Sequence, residues 1–284
     1  MESVCNDDDC DRADSAEEDL MNWALRPFLQ IFSQAQPTLS NRLRFTLRDY
    51  LFPETYRYLL YVVNERLEPR FDFEVPRQPR ANGVALGDFT LYPKWRVFSP
   101  AEIEICVSNH SEACSKLPRK VLAGGATCFF KLLDYDDTRA AIRELAIYKQ
   151  MEISGLSDKV QVPRLIGVVQ DEQGSYIIGI LLSWVNCRNR TLECSLGPET
   201  PSTLRRKWDM QVTTTLACLH EAHIIWGDAK AANILIDVND DAWIIDFGGG
   251  YTRGWVGKDE METVQGDKEG LSKIKQFLYG EKSV

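Results

Sequence analysis

The residues with the most chemical promise lie in two runs, HIIWGDAKAANILID at 223–237 and WIIDFGGG at 243–250. Asp228 follows an apolar stretch and precedes Lys230 and Asn233, so a charged and polar loop is held between segments that belong inside a fold. Burying that set costs free energy unless each group has a partner. Asp246 stands directly after Trp243-Ile244-Ile245, at a predicted strand end, and three glycines follow closely. Two carboxylates, an amide oxygen and an ammonium brought together suit a hard cation and a polyanion. Oxygen donors of this kind fit Mg²⁺, which keeps waters and takes its remaining ligands from phosphates.

The ordered set DxKxxN, a β-hairpin, then DFG, with a helix before it, resembles the catalytic core of protein kinases. The wider runs WGDAKAANILID and AWIIDFGGGYTRGWV resemble the fungal-type protein-kinase-like group. The resemblance covers roughly residues 100–280 and implies an ATP- and Mg²⁺-dependent phosphotransferase. Asp228 matches the base that accepts the proton of the attacking hydroxyl, and Lys230 the lysine that neutralises the γ-phosphate. Asn233 and Asp246 match the two Mg²⁺ ligands. Upstream, Lys131 in FFKLL matches the lysine that grips the α- and β-phosphates, with Glu144 as its ion-pair partner and Glu152 as the competing one. Backbone groups near Ser183, Trp184 and Val185 are expected to meet the adenine. Lys230 points to protein Ser or Thr as acceptor. A non-catalytic pseudokinase and a small-molecule kinase are the alternatives.

Four departures qualify the resemblance. The segment SNHSEACSKLPR (108–119), where a glycine-rich phosphate loop belongs, contains no glycine, leaving Ser108, Ser111 or Ser115 as substitutes. Trp226 and Gly227 stand where His and Arg are usual, which removes the arginine that pairs with a phosphorylated activation segment. Only 36 residues follow Gly248, and no APE motif appears. About 100 residues precede the matching part.

The elements that must position these residues are legible in turn. Residues 20–34 form an amphipathic helix with Pro27 as kink or boundary, and helical spacing of Tyr58, Tyr61, Val62 and Glu65 predicts a second helix over 54–67. Residues 68–87, with three prolines and two glycines, are expected to be an extended linker. Strand patterns follow at 101–107, at 120–133 around Gly124-Gly125, and at 168–185 around 172–174. Helices are expected over 138–151 and 202–220. Short strands at 233–236 and 243–245 flank a turn, and a last helix over about 267–279 ends at Gly280. Asp267 serves either as that helix's N-cap or as a partner of the catalytic-loop backbone. The predicted fold is α+β, a two-lobed kinase-like domain with a shortened C-terminal lobe. Its expected divisions are a disordered acidic tail at 1–19, a helical extension and linker at 20–99, and the kinase-like domain at 100–284, split near 185/186.

Charge and composition close off other classes. Residues 1–19 hold nine carboxylates and one base, so eight of the nine net negative charges lie there, and the rest carries 32 bases against 33 acids. A nearly neutral body offers no broad surface for nucleic-acid phosphates and no polybasic membrane anchor. No apolar run reaches the roughly 20 residues that cross a bilayer, and the N-terminus is acidic where a secretory signal is basic. An intracellular protein, cytoplasmic or nuclear, is the expectation. The eight cysteines show no CxxC pair, which argues against structural zinc.

Overall fold

The computed structural model describes residues 18–34, 44–53, 55–72, 83–107 and 115–280. The chain divides into two compact units, one of 1–43 with 52–79 and one of 44–51 with 80–284. The acidic tail expected at 1–19 falls almost wholly outside the described residues. The second unit takes in 80–99 as well as the domain expected from residue 100.

In the first unit, residues 18–34 are helical, interrupted by a 3-10 turn at Arg26–Phe28 where Pro27 sits. The helix predicted over 54–67 is instead a β-hairpin of β1 (Tyr58–Val63) and β2 (Arg66–Phe71), paired in strict register from Tyr58↔Phe71 to Val63↔Arg66. Its turn residues Asn64 and Glu65 both have positive φ, 51° and 64°, as a two-residue hairpin turn requires. The run YLLYVV is aromatic and β-branched, and such residues favour a pleated surface over a helix. Part of the expected linker is therefore strand.

In the second unit one six-stranded sheet runs β3 (Arg96–Phe98), β7 (Leu165–Gln170), β8 (Ile177–Ser183), β6 (Ala126–Leu132), β5 (Lys120–Ala123), β4 (Ile103–Ile105). β3 pairs parallel to β7 and every other neighbour is antiparallel. Gly124 and Gly125 turn β5 into β6 with φ of 57° and 84°. Helix α1 (Thr138–Ile153) begins at Asp137, whose carboxylate accepts from Ala140 N at 3.0 Å. Its Ala141, Leu145, Tyr148 and Met151 recur at helical spacing and are buried, and Glu144 is buried with them.

The remaining elements form a helical lobe. Helix α2 (Ser202–Glu221) buries Trp208, Val212, Leu216 and Leu219. The hairpin β9 (Ile234–Ile236) and β10 (Ala242–Ile244) follows it. Asp237 shapes the hairpin tip by accepting from Asn239 N and Asp241 N at 2.8 and 2.9 Å. The tip is tied to α2 by Trp208 Nε1 on Asp240 O at 3.0 Å and Gln211 Nε2 on Asp241 Oδ1 at 2.6 Å. Helix α3 (Val264–Tyr279) is capped by Thr263, which accepts from Gly266 N at 2.9 Å, and ends at Gly280 with φ 71°. At Gly270 of α3 an added Cβ would lie 2.4 Å from Ala229 O, so α3 packs flush against the 228–233 loop only because no side chain is there. A curled sheet with α1 and a separate helical lobe make the expected two-lobed α+β arrangement. Among the described residues no helix is long and apolar enough to cross a membrane.

Candidate active site

The antiparallel pairing of β6 with β8 sets Lys131 opposite Ile180, and α1 brings Glu144 beneath it. Lys131 Nζ lies 2.8 Å from both Glu144 oxygens and 2.8 Å from Asp246 Oδ1. Burial alone would lower the lysine's pKa, but the two carboxylates outweigh it and hold it above its ordinary value, so the side chain stays an ammonium. Glu152 takes no part, since its Oε1 accepts from Ser157 Oγ at 2.8 Å. The choice between the two glutamates is set by position on the helix: Glu144 is buried on the core face, and Glu152 sits two turns further on.

Asp246 follows β10 with φ 67°, a conformation that aspartate tolerates better than most residues. Ile245 N donates to Asn233 O at 3.0 Å, so the hairpin fixes the two oxygen-bearing residues relative to one another. Asn233 spends its amide nitrogen on Asp228, donating to the main-chain oxygen and to Oδ2 at 3.0 Å each. Its carbonyl oxygen is the atom of that side chain suited to a cation. Among the described residues no cluster of three or more His, Cys, Asp or Glu could hold a metal alone. One carboxylate and one amide oxygen fit Mg²⁺, which completes its shell with water and phosphate.

Asp228 is buried after a loop in which the Trp226 and Gly227 amides and the Ile225 and Trp226 carbonyls are engaged by side chains. Its Oδ2 accepts from Lys230 Nζ at 2.5 Å as well as from Asn233. Among the described residues its Oδ1 accepts only from the Thr252 hydroxyl, at 3.1 Å, and Thr252 accepts from Lys230 at 2.8 Å. Oδ1 thus keeps capacity for a further donor. Thr252 was not among the residues expected at the site. The one signal for it is position, six residues after Asp246 in GGGYTR, close enough for the chain to fold back.

Asp267 resolves in favour of the loop. It is 1% exposed, with Oδ2 accepting from Trp226 N and Oδ1 from Gly227 N, both at 2.8 Å, and His220 Nε2 2.8 Å from Oδ2. The N-cap role falls to Thr263. Trp226 is wholly buried and donates Nε1 to Ile245 O at 2.9 Å. Phe247 stands edge-on to Tyr148 of α1 at 5.8 Å between centroids. The Tyr148 hydroxyl is buried without a hydrogen-bond partner among the described residues, and burial raises its pKa well above the ordinary phenol value. Such a group costs stability. Tyr148→Phe is therefore expected to raise stability by about 1 kcal/mol, or roughly 2–4 °C in Tm for a domain of this size, read by calorimetry.

A cavity of about 340 Å³ lies beside the Lys131–Glu144–Asp246 network. Ser183, Trp184 and Val185, at the end of β8, line it, with Phe129 and Leu235 adding apolar surface and Lys131, Glu144 and Asp246 the charge. Arg119, just before β5, also lines it and holds its guanidinium 5.6 Å from the Phe129 ring centroid. Of the serines named as substitutes for a glycine loop, Ser108 and Ser111 lie outside the described residues, and Ser115 is exposed.

A sheet with a lysine bridged to a helix glutamate, and a hairpin carrying Asn and Asp, make a kinase-like arrangement. Residues 129–269 match the family model described as protein kinase domain. The chain belongs to the protein kinase-like superfamily. No curated protein matches it.

Proposed function

We propose that the protein is an ATP- and Mg²⁺-dependent phosphotransferase that moves the γ-phosphate to a hydroxyl, that of a protein Ser or Thr. The observation that carries this reading is the pairing of two intact constellations, Lys131–Glu144–Asp246 and Asp228–Lys230–Thr252, linked by Asn233, which donates to Asp228 and accepts from Ile245 N beside Asp246. In it, Lys131 holds the α- and β-phosphates, and backbone groups of Ser183, Trp184 and Val185 meet the base. Asn233 and Asp246 hold Mg²⁺, which would offset the charge of the phosphate oxygens. Asp228 Oδ1 takes the proton of the incoming hydroxyl, and Lys230, already paired with Oδ2, faces the transferred group. The Ser/Thr preference rests on Lys230 with its Thr252 partner. The runs WGDAKAANILID and WIIDFGGGY support placement in the fungal-type group. Reduced thiols at Cys106, Cys128, Cys187, Cys194 and Cys218 fit an intracellular site of action.

The test is thermal stability with and without ATP and Mg²⁺. Ligand that binds only the folded state raises stability, by about 2.7 kcal/mol at 100 times Kd. Wild type is expected to gain several degrees in Tm and Asp246→Ala to gain none. The glycine-free segment between β4 and β5 favours a second reading, a non-catalytic interaction module, and an unshifted wild type would establish it over the enzyme. A small-molecule kinase would bind ATP equally but label no protein in a lysate.

A further inference from the structure

The arginine that normally precedes the catalytic aspartate is Gly227 here, and a guanidinium from another element stands in the space. An added Cβ at Gly227, whose φ is 90°, would lie 2.5 Å from Arg143 Nη2. Arg143 belongs to α1, directly before Glu144. Its Nη1 donates to Phe247 O and, at 3.3 Å, to Trp226 O, while Nη2 donates to Ile225 O at 3.1 Å. Its Nε lies 3.9 Å from Glu262, which Arg139, one turn earlier on α1, also meets at 2.5 Å. The peptide units of 225–227 are thus held twice, by Arg143 through carbonyls and by Asp267 through amides.

Adjacent helical residues project about 100° apart. Glu144 fixes α1 against β6 through Lys131, and Arg143 fixes it against the catalytic loop and the segment after Asp246. Two anchors at that angle leave the helix no rotation that keeps one and loses the other. A fork donating to three carbonyls does what a lysine ammonium cannot do in the same geometry.

We propose that Arg143 is a positioning residue that holds α1 in the orientation pairing Glu144 with Lys131, with no phosphate needed on the segment 247–263. The inference rests on the phosphotransferase reading. It replaces a modification-dependent contact by one built permanently into α1, and it adds a steric reason for glycine at 227 to the conformational one, φ 90°.

The test compares phosphatase-treated and untreated wild type with Arg143→Lys and Arg143→Ala. Phosphatase treatment is expected to leave the transfer rate unchanged. Arg143→Lys, which keeps the charge, should lower kcat roughly 10-fold or more and raise the KM for ATP. Arg143→Ala should do the same, since neither an ammonium nor a methyl group can donate to the three carbonyls in this geometry. Wild-type kcat and KM in Arg143→Lys, or activity abolished by phosphatase, would each overturn the inference. Hydrogen exchange separates this from failure of the enzyme reading. If wild type neither binds nor transfers, that reading falls, yet amides of 138–153 should still exchange faster in Arg143→Lys than in wild type. Unchanged exchange there would overturn the positioning role itself.

Discussion

Asp228→Ala should lower turnover by about 10²–10⁴-fold while leaving ATP affinity close to wild type, because in the proposed reaction its carboxylate acts as base on the hydroxyl and touches no part of the nucleotide. The surroundings of Asp228 make this separation possible. Asn233 Nδ2 donates to the main-chain oxygen of residue 228 as well as to the carboxylate, so it keeps a tether in the variant. Lys131, Glu144 and Asp246 form their own network and lose no partner. Lys230 does lose an anion 2.5 Å away, but retains the Thr252 hydroxyl. Steady-state transfer gives the kcat effect and the ATP-dependent Tm shift gives the affinity. Equal loss of both would contradict the assignment, since a base that acts only in the transition state changes kcat without changing ground-state binding.

The second large effect is on folding. Asp267→Ala removes the acceptor for two buried peptide N–H groups and the partner of His220 at once. Stripping one side from a buried charged network costs about 3–5 kcal/mol, because the donors left behind stay dry and unpaired. For a domain of this size that corresponds to a Tm lower by roughly 6–20 °C, read by circular dichroism. Asp267→Asn should recover only part of the loss. An amide presents one accepting oxygen where two amides and a ring nitrogen now share two. A fall of less than about 2 °C for the alanine variant would mean that the loop holds its own shape without α3.

What the sequence disclosed follows from how local each signal is. DxKxxN and DFG are joined by a hairpin of three-residue strands, so their spacing in the chain is nearly their spacing in space. Helices α1 and α2 carry long periodic stripes and were expected within two residues of their observed ends. The hairpin at 58–71 was misread because YLLYVV satisfies periods of 2 and 3.6 alike over so short a run, and only the backbone at Asn64-Glu65 decides between them. β3 escaped notice because three residues, RVF, carry no pattern, and its pairing with β7 lies some seventy residues away. The same holds at the site. Lys131 and Glu144 were assigned through the resemblance rather than from their own surroundings. Thr252 and Arg143 act only through tertiary contacts, and neither residue type at its position differs from an ordinary exposed polar group.

The tie between the β9–β10 tip and α2 constrains how this segment could change over time. The two oxygen-bearing residues sit on opposite legs at the open end of the hairpin, and Trp208 and Gln211 hold the closed end. Slipping one short leg by a single residue would turn its side chains to the other face. An insertion at the tip would have to tear the turn away from α2. Between Asp228 and Asp246, then, a substitution away from the site residues and the tip should disturb the fold less than any change in chain length.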